Sequence, residues 1–178
     1  METPEVPTEH LHEQLQENAE QFGGWVMRVA LSSAVAAALA AVAALLAGHT
    51  ANEAMLKQIE ASNKWNYFQA KSIKASILRS KTDLLVALGK APAEKDAQKA
   101  HEYEGEQETI QREAESLGHE SEHFLRQHRT ISHSVTLFQI SIAVAAMSVL
   151  VRNRRLWMVG LLFGTGGLVF LLLGLLVH

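Results

Sequence analysis

The stretch His119-Glu120-Ser121-Glu122-His123 carries residue types at a spacing that could do chemistry. Histidines four positions apart stand one turn apart on one side of a helix. In the H-E-x-x-H pattern they hold zinc, and the glutamate after the first acts as general base in peptide hydrolysis. His119 and His123 are thus candidate metal ligands, and Glu120 is the candidate base of a metal-dependent hydrolase. Three features oppose that chemistry. Glu122 sets a charge where such enzymes bury their helix. The helical register of the surrounding sequence puts both histidines on an outer face. The chain offers no surrounding fold to supply a third ligand and a substrate cleft. The segment therefore reads as a solvated helix face, in a protein with no catalytic residue, no cofactor and no enzymatic activity.

His128, with His123 and His133, makes a second histidine-rich group. Histidine titrates near neutrality, which suits a pH-sensitive contact. A polar residue that sets helix register is the simpler account. There is no cysteine, so neither a disulfide framework nor a cysteine zinc site can form. The net charge is −3 and the basic residues are scattered, which argues against a nucleic-acid partner.

The elements that must position these residues divide sharply by polarity. Three runs are apolar: Trp25–Gly48 with Arg28 near its start, Val135–Val151, and Leu156–Val177. Each is long enough to cross a bilayer core as a helix. A chain this small could not bury three such helices in a water-soluble core. The first run is too long for a signal-peptide core and follows acidic residues, so it reads as an uncleaved anchor. The spans contain no lysine or carboxylate at depth, which argues against a coupled transporter; Gln139 is the bulky polar side chain inside them. Trp25 and Trp157 fall at the expected membrane interfaces. The short loop holding Arg152, Arg154 and Arg155 stays in the cytoplasm by the positive-inside rule. The N-terminus is then cytoplasmic, and the middle segment and C-terminus lie outside.

Between the first two spans, residues 49–133 are strongly charged and helical in pattern. LGKAPAE interrupts them: Gly89 suits a helix end, Pro92 the start of the next, and Glu94 and Asp96 its positive end. Before the break, one face reads Leu56, Ile59, Asn63, Asn66, Ala70, Ile73, Ile77, Ser80, Leu84, Ala87. After it, one face reads Ala100, Tyr103, Gln107, Ile110, Ala114, Leu117, Ser121, Phe124, His128, Ile131, Val135. Both alternate steps of three and four, the seam of a coiled coil. Two long helices follow, each partly in the membrane and partly in water. Gly48 is the expected kink in the first, and Gly105 and Gly118 are weak points in the second.

The predicted fold is an all-α membrane protein with three transmembrane helices and a long antiparallel, coiled-coil-like hairpin. Its segments are an acidic tail (1–24), a first span (25–48), the hairpin (49–133, turn at 89–92), a second span (134–151), a basic loop (152–155) and a third span (156–177). In the tail, Leu11, Leu15, Ala19 and Phe22 recur at helical spacing and predict one short amphipathic helix.

The hairpin also holds KWNYFQAKSIK. Helix geometry turns about 100° per residue, so Trp65 and Phe68 lie about 60° apart while Tyr67 points nearly opposite to Trp65. One seam cannot take all three rings. Further faces are therefore expected to bury against other copies, with Trp65, Tyr67, Phe68, Ile73 and Ile77 as candidate packing residues. In the third span, Gly160 and Gly164 make a small-xxx-small packing surface.

The run from Ala61 to Lys74, most specifically Trp65 to Ser72, resembles an uncharacterised bacterial membrane protein family, the domain of unknown function 4337. The resemblance covers the order of segments along nearly the whole chain. It implies the architecture and a bacterial membrane location, and it carries over no catalytic role. The expected function is a homo-oligomeric inner-membrane scaffold whose partners are other copies of itself and the lipid bilayer. An oligomeric channel is the alternative, and a hydrolase acting through HESEH is the least favoured reading.

Overall fold

The structure is a computed structural model that describes residues 24–176. The amphipathic helix expected around Leu11–Phe22 lies outside the described residues. Three helices and no strand make up the described residues: α1 (Gly24–Ala87), α2 (Glu94–Leu150) and α3 (Arg154–Leu176). All three are long and apolar enough over part of their length to cross a membrane.

The helix ends follow from local chemistry. Gly89 takes φ 68°, the left-handed conformation that costs glycine least. There its N–H donates to Val86 O (3.0 Å) and the Lys90 N–H to Leu85 O (2.9 Å), satisfying carbonyls that α1 leaves free. Pro92 precedes α2, whose first turn carries Glu94 and Asp96 against the positive end of the helix dipole. The turn from α2 to α3 repeats the capping bonds without a glycine. Arg152 adopts φ 51°, its N–H donates to Val149 O (3.1 Å), and the Asn153 N–H donates to Ser148 O (3.0 Å). Asn153 Oδ1 then accepts the Arg155 N–H at 2.9 Å and caps α3. Gly48, Gly105 and Gly118 all lie inside unbroken helix. A lone glycine costs a helix only about 1 kcal/mol, too little to stop helices of this length.

The chain divides into two compact units, one of residues 24–47 with 129–176, the other Gly48–His128. In the first, Ala36, Ala43, Ala47, Ile131, Phe138 and Leu171 form the core. Small residues let the backbones close up. On α2, buried Ser134, Ser141 and Ser148 recur every seven residues; on α3, so do buried Gly160, Gly167 and Gly174. The Ser141 hydroxyl donates to Gly160 O at 2.7 Å. A Cβ on Gly167 would stand 3.0 Å from the Phe138 ring, and one on Gly174 would stand 2.5 Å from Ile131 Cγ1. Ser134 and Ser148 donate to carbonyls of their own helix, so their burial leaves no hydroxyl unsatisfied. Trp157 Nε1–H reaches Ser32 Oγ (3.2 Å), tying α3 to α1.

In the second unit, α1 and α2 segments contact each other in opposite chain directions. Lys57 pairs with Glu120 (2.9 Å), Lys64 with Glu113 (2.5 Å) and Lys71 with Glu106 (2.5 Å). Each step of seven forward on α1 is a step of seven back on α2. Arg79–Glu104 and Lys81–Asp96 (2.6 Å) continue the series toward the turn. The α2 contact face is the expected one: Ala100, Ile110, Ala114 and Ser121 are buried, and Tyr103, Gln107, Leu117, Phe124 and His128 are half-buried.

The α1 face is not the expected one. Leu56, Ile59, Ile73, Ile77 and Leu84 are all at least half exposed. The buried line is instead Ala54, Ala61 and Ala75, with half-buried Phe68 at the same seven-residue spacing and Lys57, Lys64 and Lys71 beside it. The physical reason is close approach. Alanine adds only a methyl to the contact, so the Ser121 hydroxyl can donate to the backbone carbonyl of Ala54 at 2.8 Å. The lysines lay their stems along the contact and extend their ammonium groups to α2 carboxylates. Ranking positions by side-chain hydrophobicity favours the bulky face and misses this one.

Candidate functional site

Charged and polar side chains converge along the α1–α2 contact of the Gly48–His128 unit. Its centre is Lys71. The side chain retains 12% of its exposure, and its ammonium lies 4.5 Å from the Tyr103 ring centroid, 5.4 Å from that of Tyr67 and 2.5 Å from Glu106 Oε2. The aromatic faces and the carboxylate both favour the charged amine. The hydrogen bond with Glu106 raises the Lys71 pKa; desolvation works against it, and Tyr67 adds a smaller push upward. Glu120 likewise raises the Lys57 pKa, mainly through their hydrogen bond. Beside this centre an open groove of about 470 Å³ is lined by Lys64, Tyr67, Gly105, Glu106, Ile110 and Glu113, among others. Gly105, with open space where its Cβ would stand, widens it.

The HESEH residues divide. His119 is exposed, whereas His123 is half-buried, against the expectation that both lie outside. The His123 ring packs edge-on against Phe124 (5.9 Å), and its Nε2 is buried without a hydrogen-bond partner. Glu120, the residue in the position of a base, has its carboxylate held by Lys57. Among the described residues, no three histidine or carboxylate side chains come together as a metal-holding group.

The candidate packing residues also separate. Trp65 is 38% exposed and meets Phe68 edge-on at 5.6 Å; Tyr67 is 50% exposed and turned toward Lys71. Ile73 and Ile77 are 60% and 61% exposed. Gly160 and Gly164 face Ser141 of the same chain: a Cβ on Gly164 would stand 3.1 Å from Ser141 Oγ. Arg152, Arg154 and Arg155 are exposed at the α2–α3 turn.

The profile of the family described as Domain of unknown function (DUF4337) matches residues 25–177. The chain belongs to DUF4337. No curated protein and no solved structure matches it.

The DUF4337 match takes in all of α2 and α3, α1 from Trp25 onward, and the whole lysine–glutamate ladder. That ladder is the feature that reading the sequence for local pairs misses. The spacing i,i+4 draws attention to Glu53–Lys57, Glu60–Lys64, Glu108–Arg112 and Glu122–Arg126; the last two are present but loose at 3.7 and 3.8 Å, whereas Lys57 and Lys64 reach across to Glu120 and Glu113. The signal that would have found the ladder is long-range: lysines at 57, 64 and 71, and glutamates at 106, 113 and 120, both every seven residues.

Proposed function

We propose that this DUF4337 protein is a homo-oligomeric scaffold of the bacterial inner membrane, with a coiled-coil-like hairpin standing outside the bilayer and no catalytic activity of its own. The observation that carries the reading is the amount of bulky apolar surface that one chain leaves uncovered. Leu31 and Leu45 on α1, Met147 and Leu150 on α2, and Leu162 and Leu172 on α3 are all exposed, within segments long and apolar enough to span. Lipid covers such surface at no cost, whereas water does not. The exposed Arg152, Arg154 and Arg155 support a cytoplasmic α2–α3 turn, and with it the reading of a periplasmic hairpin and a cytoplasmic N-terminus.

The apolar side chains left open on the α1 part of the hairpin support self-association. The deciding experiment is mass measurement of the assembly in detergent or nanodiscs. A multiple of the chain mass is expected, and a single chain overturns the reading. A cysteine introduced at Ala91 is expected to react with an impermeant reagent from the periplasmic side.

Gln139 favours a second reading, a conduit formed by the same assembly. It is exposed on α2 within an apolar segment, where an amide costs free energy unless another copy or water meets it. Ion flux in reconstituted vesicles that changes with Gln139→Leu is the expected result; absence of flux removes the conduit.

A further inference from the structure

The side of α1 facing away from α2 in the Gly48–His128 unit carries a second seven-residue pattern. Leu56, Asn63, Ala70, Ile77 and Leu84 lie seven apart, and so do Ile59, Asn66, Ile73 and Ser80 three positions further on. All nine are exposed. The pattern is offset by two residues from the buried line of Ala54, Ala61 and Ala75, about 200° around the helix. The helix therefore has two contact lines on nearly opposite sides, and the chain itself fills only one of them.

We infer that the second line is covered by the same line of a second copy, with the two α1 segments side by side, parallel and in register. This rests on the self-association proposed above and names its surface and geometry. Three observations select this occupant. First, the layers match only when the line meets itself in parallel. Leu56, Ile59, Ile73, Ile77 and Leu84 then each oppose their own kind, and Asn63, Asn66 and Ser80 oppose Asn63, Asn66 and Ser80. Facing asparagines bond to each other and fix register. The antiparallel alignment of longest overlap instead sets Asn66 against Ile77, which leaves an amide unpaired in an apolar layer. Secondly, the flanks allow it. Parallel packing brings Met55 to Glu60, Ser62 to Tyr67, Gln69 to Lys74, Ser76 to Lys81 and Asp83 to Leu88, and no like charges face each other. Thirdly, the area suffices. Five large apolar side chains, each at least half exposed, bury on the order of 1,000 Å² across two copies, the size a specific interface needs. The sequence repeats the spacing further back at Leu31, Val35, Val42 and Leu45, and helices anchored in one membrane run parallel.

The test uses the full chain in reconstituted vesicles. Because the protein has no cysteine, a single introduced thiol reports one position. Ile73→Cys and the nearly isosteric Ser80→Cys are expected to give a covalent dimer in most of the protein under mild oxidation. Glu102→Cys, on the charged surface of α2, is expected to stay monomeric. Ile77→Asp is expected to reduce the Ser80→Cys dimer severalfold. An assembly of several chains that forms no same-site dimer at either position overturns this inference and leaves self-association standing. Dimer formation only between Glu60→Cys and Lys81→Cys copies mixed together shows the antiparallel arrangement and also overturns it. A single-chain mass overturns both.

Discussion

The Ser121 hydroxyl donates a 2.8 Å hydrogen bond to the Ala54 carbonyl across 67 residues of sequence. A side chain as short as serine can reach the backbone of a neighbouring helix only where the facing residue is small. Alanine at position 54 meets that requirement, and its carbonyl is thereby shared between its own helix and Ser121. Enlarging the small partner should therefore do more harm than deleting the bond. Ser121→Ala is expected to cost about 1 kcal/mol, the net worth of an ordinary hydrogen bond. Ala54→Leu is expected to cost about 1–3 kcal/mol by overpacking. Denaturant unfolding of the detergent-solubilised chain measures both, and equal effects would refute the close-approach account.

The lysine ladder predicts an alkaline limit. Glu120 and Glu106 raise the pKa values of Lys57 and Lys71 above 10.5 in the folded chain. Folding thus holds on to these protons. Their contribution is fully present below pH 10.5 and is lost as the pH rises through the higher folded values. Thermal melts at increasing pH should hold steady up to about pH 10 and then fall, a range set by the ordinary lysine pKa. Lys57→Met combined with Lys71→Met should flatten that alkaline decline, and an unchanged decline would assign it to other groups.

The glycines of α3 predict an order of sensitivity. Gly174→Ala drives a methyl to 2.5 Å from Ile131 Cγ1, and Gly167→Ala places one 3.0 Å from the Phe138 ring. Each is expected to destabilise by about 1–3 kcal/mol. Gly166→Ala meets Leu137 at an ordinary 3.7 Å and is expected to be neutral or slightly stabilising. Unfolding in mixed detergent ranks the three, and a Gly166→Ala variant as weak as Gly174→Ala would contradict the packing described.

The two turns predict opposite signs for substitutions at their left-handed residues. Gly89→Ala puts a Cβ into φ 68°, and Arg152→Gly removes one from φ 51°. The first is expected to lower stability and the second to raise it, each by about 1 kcal/mol. Calorimetry of the two variants beside the parent chain checks the pair.

Sequence and structure agree where bulk and burial coincide. On α2 the half-buried and buried residues from Ala100 to Val135 follow the apolar spacing, because each large side chain there points at a partner. The ends of the helices were also readable, since Gly89, Pro92, Glu94 and Asp96 act through local backbone chemistry. On α1 the spacing held but the wrong side stood out. Leu56, Ile73 and Ile77 outrank Ala54, Ala61 and Ala75 in hydrophobicity, yet the alanines admit a second helix more closely. Likewise the HESEH motif gave no sign of the Glu120–Lys57 pair, because a local motif carries no word of a residue distant in sequence. Arg152 in a left-handed turn gave no warning, since arginine is not a residue that favours that conformation.

The rungs of the ladder are alike, but the set of three fits one alignment. Shifting one arm by seven residues would set Lys57 beside Glu113 and Lys64 beside Glu106, yet leave Lys71 facing Lys99. The native alignment is fixed as well by unrepeated hardware at its two extremities, the Ser121–Ala54 bond at one and the short turn with Lys81–Asp96 at the other. The arms are therefore modular. A matched insertion of seven residues in both would extend them by about 10 Å with every rung kept, whereas an unmatched one would leave the turn and the far bond pulling toward different alignments. Length in this protein can change by whole repeats, much as a telescoping ladder locks only at its notches.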